Sequence, residues 1–194
     1  MKTKKLLSHE EKSFDTDIIY LCKFGDELYK TLHIFASGPP AILPENMVIL
    51  QEYTAKLPEL TETLANEVTE LRFDYLISPL TSRTGYYSCD AYISSILSKQ
   101  PDLINLTSAL KREETDWITH GISMPIKSGK GNAPIDILLK SISFNPITPD
   151  LKKDATVLIV DDCLSSGKTA TAIMVQLSAK MDNPTFTIAV PVLL

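Results

Sequence analysis

VLIVDDCLSSGKTATAI, from Val157 to Ile173, is the stretch on which the reading of this chain turns. The continuous apolar run Val157 to Val160 suits a strand buried on both faces, as strands of a parallel sheet are. Two acids, Asp161 and Asp162, end that run. Cys163, Leu164, Ser165, Ser166, Gly167, Lys168 and Thr169 follow as a loop of mostly small and hydroxyl residues. Ala170, Ile173, Met174 and Leu177 then recur at helical spacing. A strand, an acidic pair, a small-residue loop and a helix, in that order, point to a ligand site at the carboxyl end of a strand.

Working outward, "FDYLISPL" reads as a short strand ended by proline, "TSRTGYY" as a loop, and Cys89, Ile93, Ile96 and Leu97 as one face of a helix. "DLINLTSAL" fits a further strand and "TFTIAVPVLL" a last one. Pro191 has no N–H for a ladder, which predicts that the last strand lies at an edge or ends there. Strands alternating with helices predict a parallel sheet with helical crossovers, hence an α/β fold. Between Lys111 and Asp150 the pattern is irregular and polar, with three glycines and four prolines. The first seventy or so residues read as helical. Leu28, Leu32 and Phe35 share a face, a second run starts near Glu45, and Leu60, Leu64, Val68 and Leu71 mark a third. "DIIYLC" is the one short strand expected there. The expected division is a helical N-terminal segment, 1–72, and an α/β core, 73–194.

Composition narrows the class. A chain of 194 residues, 44% hydrophobic and 22% charged, suits one globular domain with a proper core. Its net charge of −5 argues against broad nucleic-acid or membrane binding, since both need a basic face. The three cysteines are scattered and odd in number, which argues against a disulfide framework or a zinc site. The basic start "MKTKKLLSHEEKSFD" has no apolar core of signal-peptide length. A soluble protein of a reducing cytoplasm is the expectation.

The key loop admits three readings. A nucleoside-triphosphate P-loop would match Gly167-Lys168-Thr169, but Asp162 stands where its first glycine belongs, and a carboxylate there repels phosphate. A receiver domain also has paired aspartates at a strand end, yet it needs most of a domain after them. The third reading is a cradle for ribose 5-phosphate. Two carboxylates accept charge-assisted hydrogen bonds from a vicinal diol, and a few residues on, amides and hydroxyls at a helix N-terminus gather a dianionic phosphate. Diol first and phosphate next matches the length of that sugar.

In these residues the chain resembles the type I phosphoribosyltransferase family, nearest to its competence-type members. The family signature is an apolar strand, two acids, two variable residues, small hydroxyl residues, glycine and a nearby threonine, and "VLIVDDCLSSGKT" satisfies it. The resemblance implies that Asp161 and Asp162 bind the ribose hydroxyls of phosphoribosyl pyrophosphate, touching Mg2+ only indirectly. Residues Cys163 to Thr169 would hold the 5-phosphate. It implies a pyrophosphate loop at Pro79, Leu80, Thr81, Ser82 and Arg83, whose forked guanidinium suits phosphate oxygens. It also implies a flap over about 111–150 carrying Lys111 and Arg112, a parallel sheet flanked by helices, and an N-terminal hood for the acceptor. The expected reaction is magnesium-dependent transfer of phosphoribosyl to a nitrogenous base or amine, with release of pyrophosphate, by a homodimer or with a protein partner. Asp161, Asp162 and Arg83 would be its catalytic residues.

A departure bears on chemistry. Purine-salvage members carry an acid where Ser165 stands, and serine is a poor proton acceptor near neutral pH. A non-catalytic sensor of phosphoribosyl pyrophosphate or a nucleotide is therefore the competing function. Blander readings also stand beside each residue. The acids and serines could be caps, and Arg83, Lys111 and Arg112 solvated charges. Trp117, Tyr86 and Tyr87 could be packing.

Overall fold

In a computed structural model the protein is described over residues 1–9, 12–23, 26, 44–79, 89–112, 135–145, 150–164 and 166–193. The described elements are β1 (Lys2–His9), β2 (Lys12–Lys23), α1 (Pro44–Thr69), β3 (Tyr75–Ile77), α2 (Asp90–Lys99), β4 (Ile104–Asn105) and β5 (Leu110–Arg112). After these come α3 (Ile135–Ser141), β6 (Ile142–Phe144), β7 (Thr156–Val160), β8 (Cys163–Leu164), α4 (Lys168–Ser178) and β9 (Thr185–Leu193). A seven-stranded sheet runs β1-β2-β9-β7-β3-β4, with the stub β8 also on β9. All of its pairings are parallel except β1 with β2. The fold is a mixed α/β one, a mostly parallel sheet flanked by helices.

Alternation along the central strands builds two cores. Val157 and Ile159 face one side with Ala170, Ile173, Met174 and Leu177 of α4 and Leu138 of α3. Leu158 and Val160 face the other with Leu60, Leu64 and Val68 of α1 and Tyr92, Ile93 and Ile96 of α2. Because every residue from Val157 to Val160 is buried, the strand needs no polar face, which is why its sequence is uniformly apolar. Burying each such side chain stabilises the fold by about 1.5–3 kcal/mol relative to leaving it exposed.

Before residue 24 the described residues depart from the helical expectation by more than the one short strand "DIIYLC". Lys2–His9 and Lys12–Lys23 are strands, and β2 is parallel to β9 inside the main sheet. The cause is a period of two: Phe14, Thr16, Ile18 and Tyr20 pack on the α4 side while Asp15 and Asp17 are exposed between them. The two helical runs expected after Glu45 are one helix, α1, with Pro58 inside it. The run carrying Leu28, Leu32 and Phe35 lies outside the described residues.

The edge position expected for β9 is also corrected. β9 is interior, with β2 on one side and β7 on the other. Pro191 is accommodated because both ladders skip it. β2 pairs at Val190 and Val192, and β7 pairs up to Ala189 before β8 resumes at Val192. "DLINLTSAL" yields only the short β4, a 3-10 turn at Thr107–Ala109 and the first residue of β5. Within 111–150, Leu110–Arg112 and Ile142–Phe144 pair as an antiparallel ribbon. Residues 113–134 and 146–149 of the expected flap lie outside the described residues.

Candidate functional site

Parallel pairing of β3 with β7, at Ile77 opposite Ile159, brings the two loops singled out in the sequence to the same end of the sheet. Ser78 and Pro79 leave β3 there, and Asp161 and Asp162 leave β7 beside them. A latch at the opposite ends of these strands sets that register. The Asp74 carboxylate accepts hydrogen bonds from the Thr156 N–H (3.0 Å) and hydroxyl (3.1 Å), and from the Lys152 ammonium. The Lys152 ammonium, then the Thr156 N–H, hold the Asp74 carboxyl below its usual range. On the other flank of β3, the Ser78 N–H donates to the Thr107 hydroxyl at 3.0 Å.

The acidic pair sits where the ladder breaks. The Asp161 N–H donates to the Ala189 carbonyl at 3.1 Å, the last regular bond between β7 and β9. In a parallel ladder the next bond would run from residue 191 to the Asp161 carbonyl, and a proline cannot supply it. The Asp162 N–H turns instead to Asp161 Oδ1 at 2.9 Å. Both acids are half-buried. Two hard oxygen donors also fit Mg2+ in the indirect role expected of them. Among the described residues no group of three or more His, Cys, Asp or Glu gathers as a direct metal site.

Cys163 and Leu164 pair with Val192 and Leu193, so β8 carries the chain back onto the sheet edge of the site. Ser166 is exposed, Lys168 and Thr169 are half-buried, and Ser165 lies outside the described residues. Gly167 is the N-cap of α4 and has φ +78°, a left-handed conformation that favours glycine. Among the described residues no side chain caps α4, and its first turn has no acid to neutralise the positive end of its dipole. The Gly167 carbonyl accepts from the Thr171 N–H (2.8 Å) and hydroxyl (2.9 Å), which ties the turn to the helix.

Cys89, at the head of α2, is the residue that sequence reasoning left in the core. It is buried, and Ser78, Asp161 and Asp162 are among the groups that act on its thiol. Burial, then those two carboxylates, push the thiol far up, while Ser78 opposes the shift. The signal was positional, since Cys89 opens the helical face that follows the expected pyrophosphate loop. Cys22, one strand beyond β9, is likewise pushed up to about 11, first by burial and then by Asp26.

The structure therefore places Asp161, Asp162, Ser166 and Gly167 between β7 and α4, Lys168 and Thr169 at the start of α4, and Ser78 and Pro79 just after the neighbouring strand β3. Leu80, Thr81, Ser82 and Arg83 lie outside the described residues. Lys111 is exposed on β5, and Arg112 ends that strand. No described helix is long and apolar enough to cross a membrane.

No family model and no curated protein sequence matches the chain. Among solved structures, UMP synthase from Leishmania donovani is similar to it with a TM-score of 0.39 and 16% identity, over 86% of this chain and 32% of that one. The chain thus spans under a third of that protein's length, and a likeness of this size carries no argument.

Proposed function

We propose that the protein is a phosphoribosyltransferase of type I architecture. In this reading it binds phosphoribosyl pyrophosphate with Mg2+ and transfers phosphoribosyl to a nitrogenous acceptor. One observation carries the reading: a half-buried acidic pair at a broken ladder, followed by an uncapped helix N-terminus behind a left-handed glycine. Each half of the ligand meets matching chemistry. The carboxylates of Asp161 and Asp162 accept from the ribose diol, and the first-turn N–H groups of α4 with Ser166 and Thr169 hold the 5-phosphate. Lys168 adds positive charge at the same end.

The residues mainly orient the sugar. Displacement at the anomeric carbon passes through an oxocarbenium-like state, so holding diol and phosphate fixes that carbon relative to the acceptor. Mg2+, when bound, supplies neutralisation of the departing pyrophosphate. The β3 end, with Ser78 and Pro79, lies where the pyrophosphate loop is expected to start, and Arg83 is assigned its forked contact. A pyrophosphate-release assay over nucleobases, with phosphoribosyl pyrophosphate and magnesium, tests the proposal. Turnover that Asp162→Asn abolishes supports it, and hydrolysis of nucleoside triphosphates that Lys168→Ala abolishes overturns it in favour of a P-loop.

A sensor that binds the same ligand without turnover is the second reading. It is favoured by the lack, among the described residues at the two strand ends, of a proton acceptor other than the acids assigned to the ribose. Saturable binding with no turnover for any acceptor would select it.

A further inference from the structure

The N-terminal strand reaches the same loop from behind. β1 leaves Leu6 68% exposed and its neighbour Leu7 only 4%, so alternation drives Leu7 inward at an edge strand. A Cβ built on Gly167 would stand 2.7 Å from Leu7 Cδ2, 3.4 Å from Leu7 Cδ1 and 3.7 Å from Leu164 Cδ1. Gly167 is thus confined twice, by its φ of +78° and by the leucine against its Cα. The hairpin also follows α4 further along, where the Thr16 hydroxyl lies 3.9 Å from Met174 Sδ. Leu7 shares a core cluster with Ala170, Ile173 and Met174 of that helix.

We infer that Leu7 is a positioning residue for the anion loop: through Leu7 the β1–β2 hairpin braces Gly167 in its left-handed turn and so aims the first N–H groups of α4. The inference rests on the phosphate role proposed for that loop, whereas the contact beneath it does not. Packing at this density leaves little slack, so removing the leucine tip frees the turn to relax away from the geometry the phosphate needs.

Leu7→Val withdraws the two Cδ atoms while keeping a residue suited to a strand. Its dissociation constant for ribose 5-phosphate, measured by calorimetry on the full chain, is expected to rise about fivefold to tenfold. Leu7→Met keeps the reach with a flexible thioether and is expected to stay within about twofold. Ile19→Ala is the structural control, because Ile19 is on the same hairpin but packs on the opposite face of the sheet. It should lower the melting temperature and leave the dissociation constant alone. In thermal unfolding, Leu7→Val and Gly167→Ala should be non-additive, since the first removes the atoms the new methyl meets. An unchanged dissociation constant in Leu7→Val, or strict additivity in the cycle, overturns the brace. Failure of the wild-type chain to bind ribose 5-phosphate overturns the proposed function instead, and the unfolding cycle still decides the brace.

Discussion

Asp74→Ala is the perturbation whose cost the structure sets most closely. One carboxylate oxygen takes both the Thr156 N–H and its hydroxyl, and the other takes Lys152. A hydrogen bond to a charged group contributes about 1.5–3 kcal/mol, and the variant also strands the part-buried Thr156 N–H. The Lys152 pair is discounted, because the lysine side chain is 67% exposed against 25% for the aspartate, and exposed pairs contribute about 0–1 kcal/mol. The expected loss is therefore about 3 kcal/mol for Asp74→Ala and under about 1 kcal/mol for Lys152→Ala. For a chain of this size that is a fall in melting temperature of about 6–12 °C for the first variant. Asp74→Asn keeps one acceptor for the Thr156 N–H and should fall between the two. Urea and thermal unfolding followed by circular dichroism measure all three. Since the folded carboxyl lies below its unfolded value, its contribution is present above the unfolded pKa, about 3.9, and is lost as pH falls through the folded one. A Lys152→Ala loss equal to that of Asp74→Ala, or an Asp74→Ala loss within error of zero, would refute the assignment of the latch to Thr156.

Asp161→Asn and Asp162→Asn should each weaken phosphoribosyl pyrophosphate binding by about tenfold to a hundredfold, the worth of one charge-assisted hydrogen bond, as read by calorimetry with magnesium. Both acids are half-buried, so stability should move by less than about 1 kcal/mol. Cys22 and Cys89, buried with raised thiol pKa values, should resist iodoacetamide at pH 8 in the folded chain and react on unfolding, as peptide mass spectrometry resolves. Their reactivity should rise only well above the ordinary thiol range, because burial favours the neutral thiol.

What was legible in the sequence is what a single strand or loop states on its own. Val157 to Val160 declares a doubly buried strand, and the helix after it shows its buried face at Ala170, Ile173, Met174 and Leu177. What escaped depends on partners. "DIIYLC" was legible as a short strand, but β1 and the first residues of β2 were not, because exposed Asp15 and Asp17 dilute the alternation there. Pro191 forbids one donated bond but does not exclude an interior strand, and only the breaks in both neighbouring ladders show how it fits. The place of Cys89 beside the acids depends on β3 and β7 being adjacent, which no local spacing encodes. The contact of Leu7 with Gly167 joins positions far apart in the chain and had no sequence signal at all.

A crystal structure of the chain with phosphoribosyl pyrophosphate and magnesium tests the central claim most directly. The account predicts the ribose hydroxyls on Asp161 and Asp162 and the 5-phosphate against the first turn of α4, within hydrogen-bond distance of the backbone from Ser166 to Thr169. A sugar seated elsewhere, or an α4 N-terminus without phosphate while the ligand is bound, would contradict it.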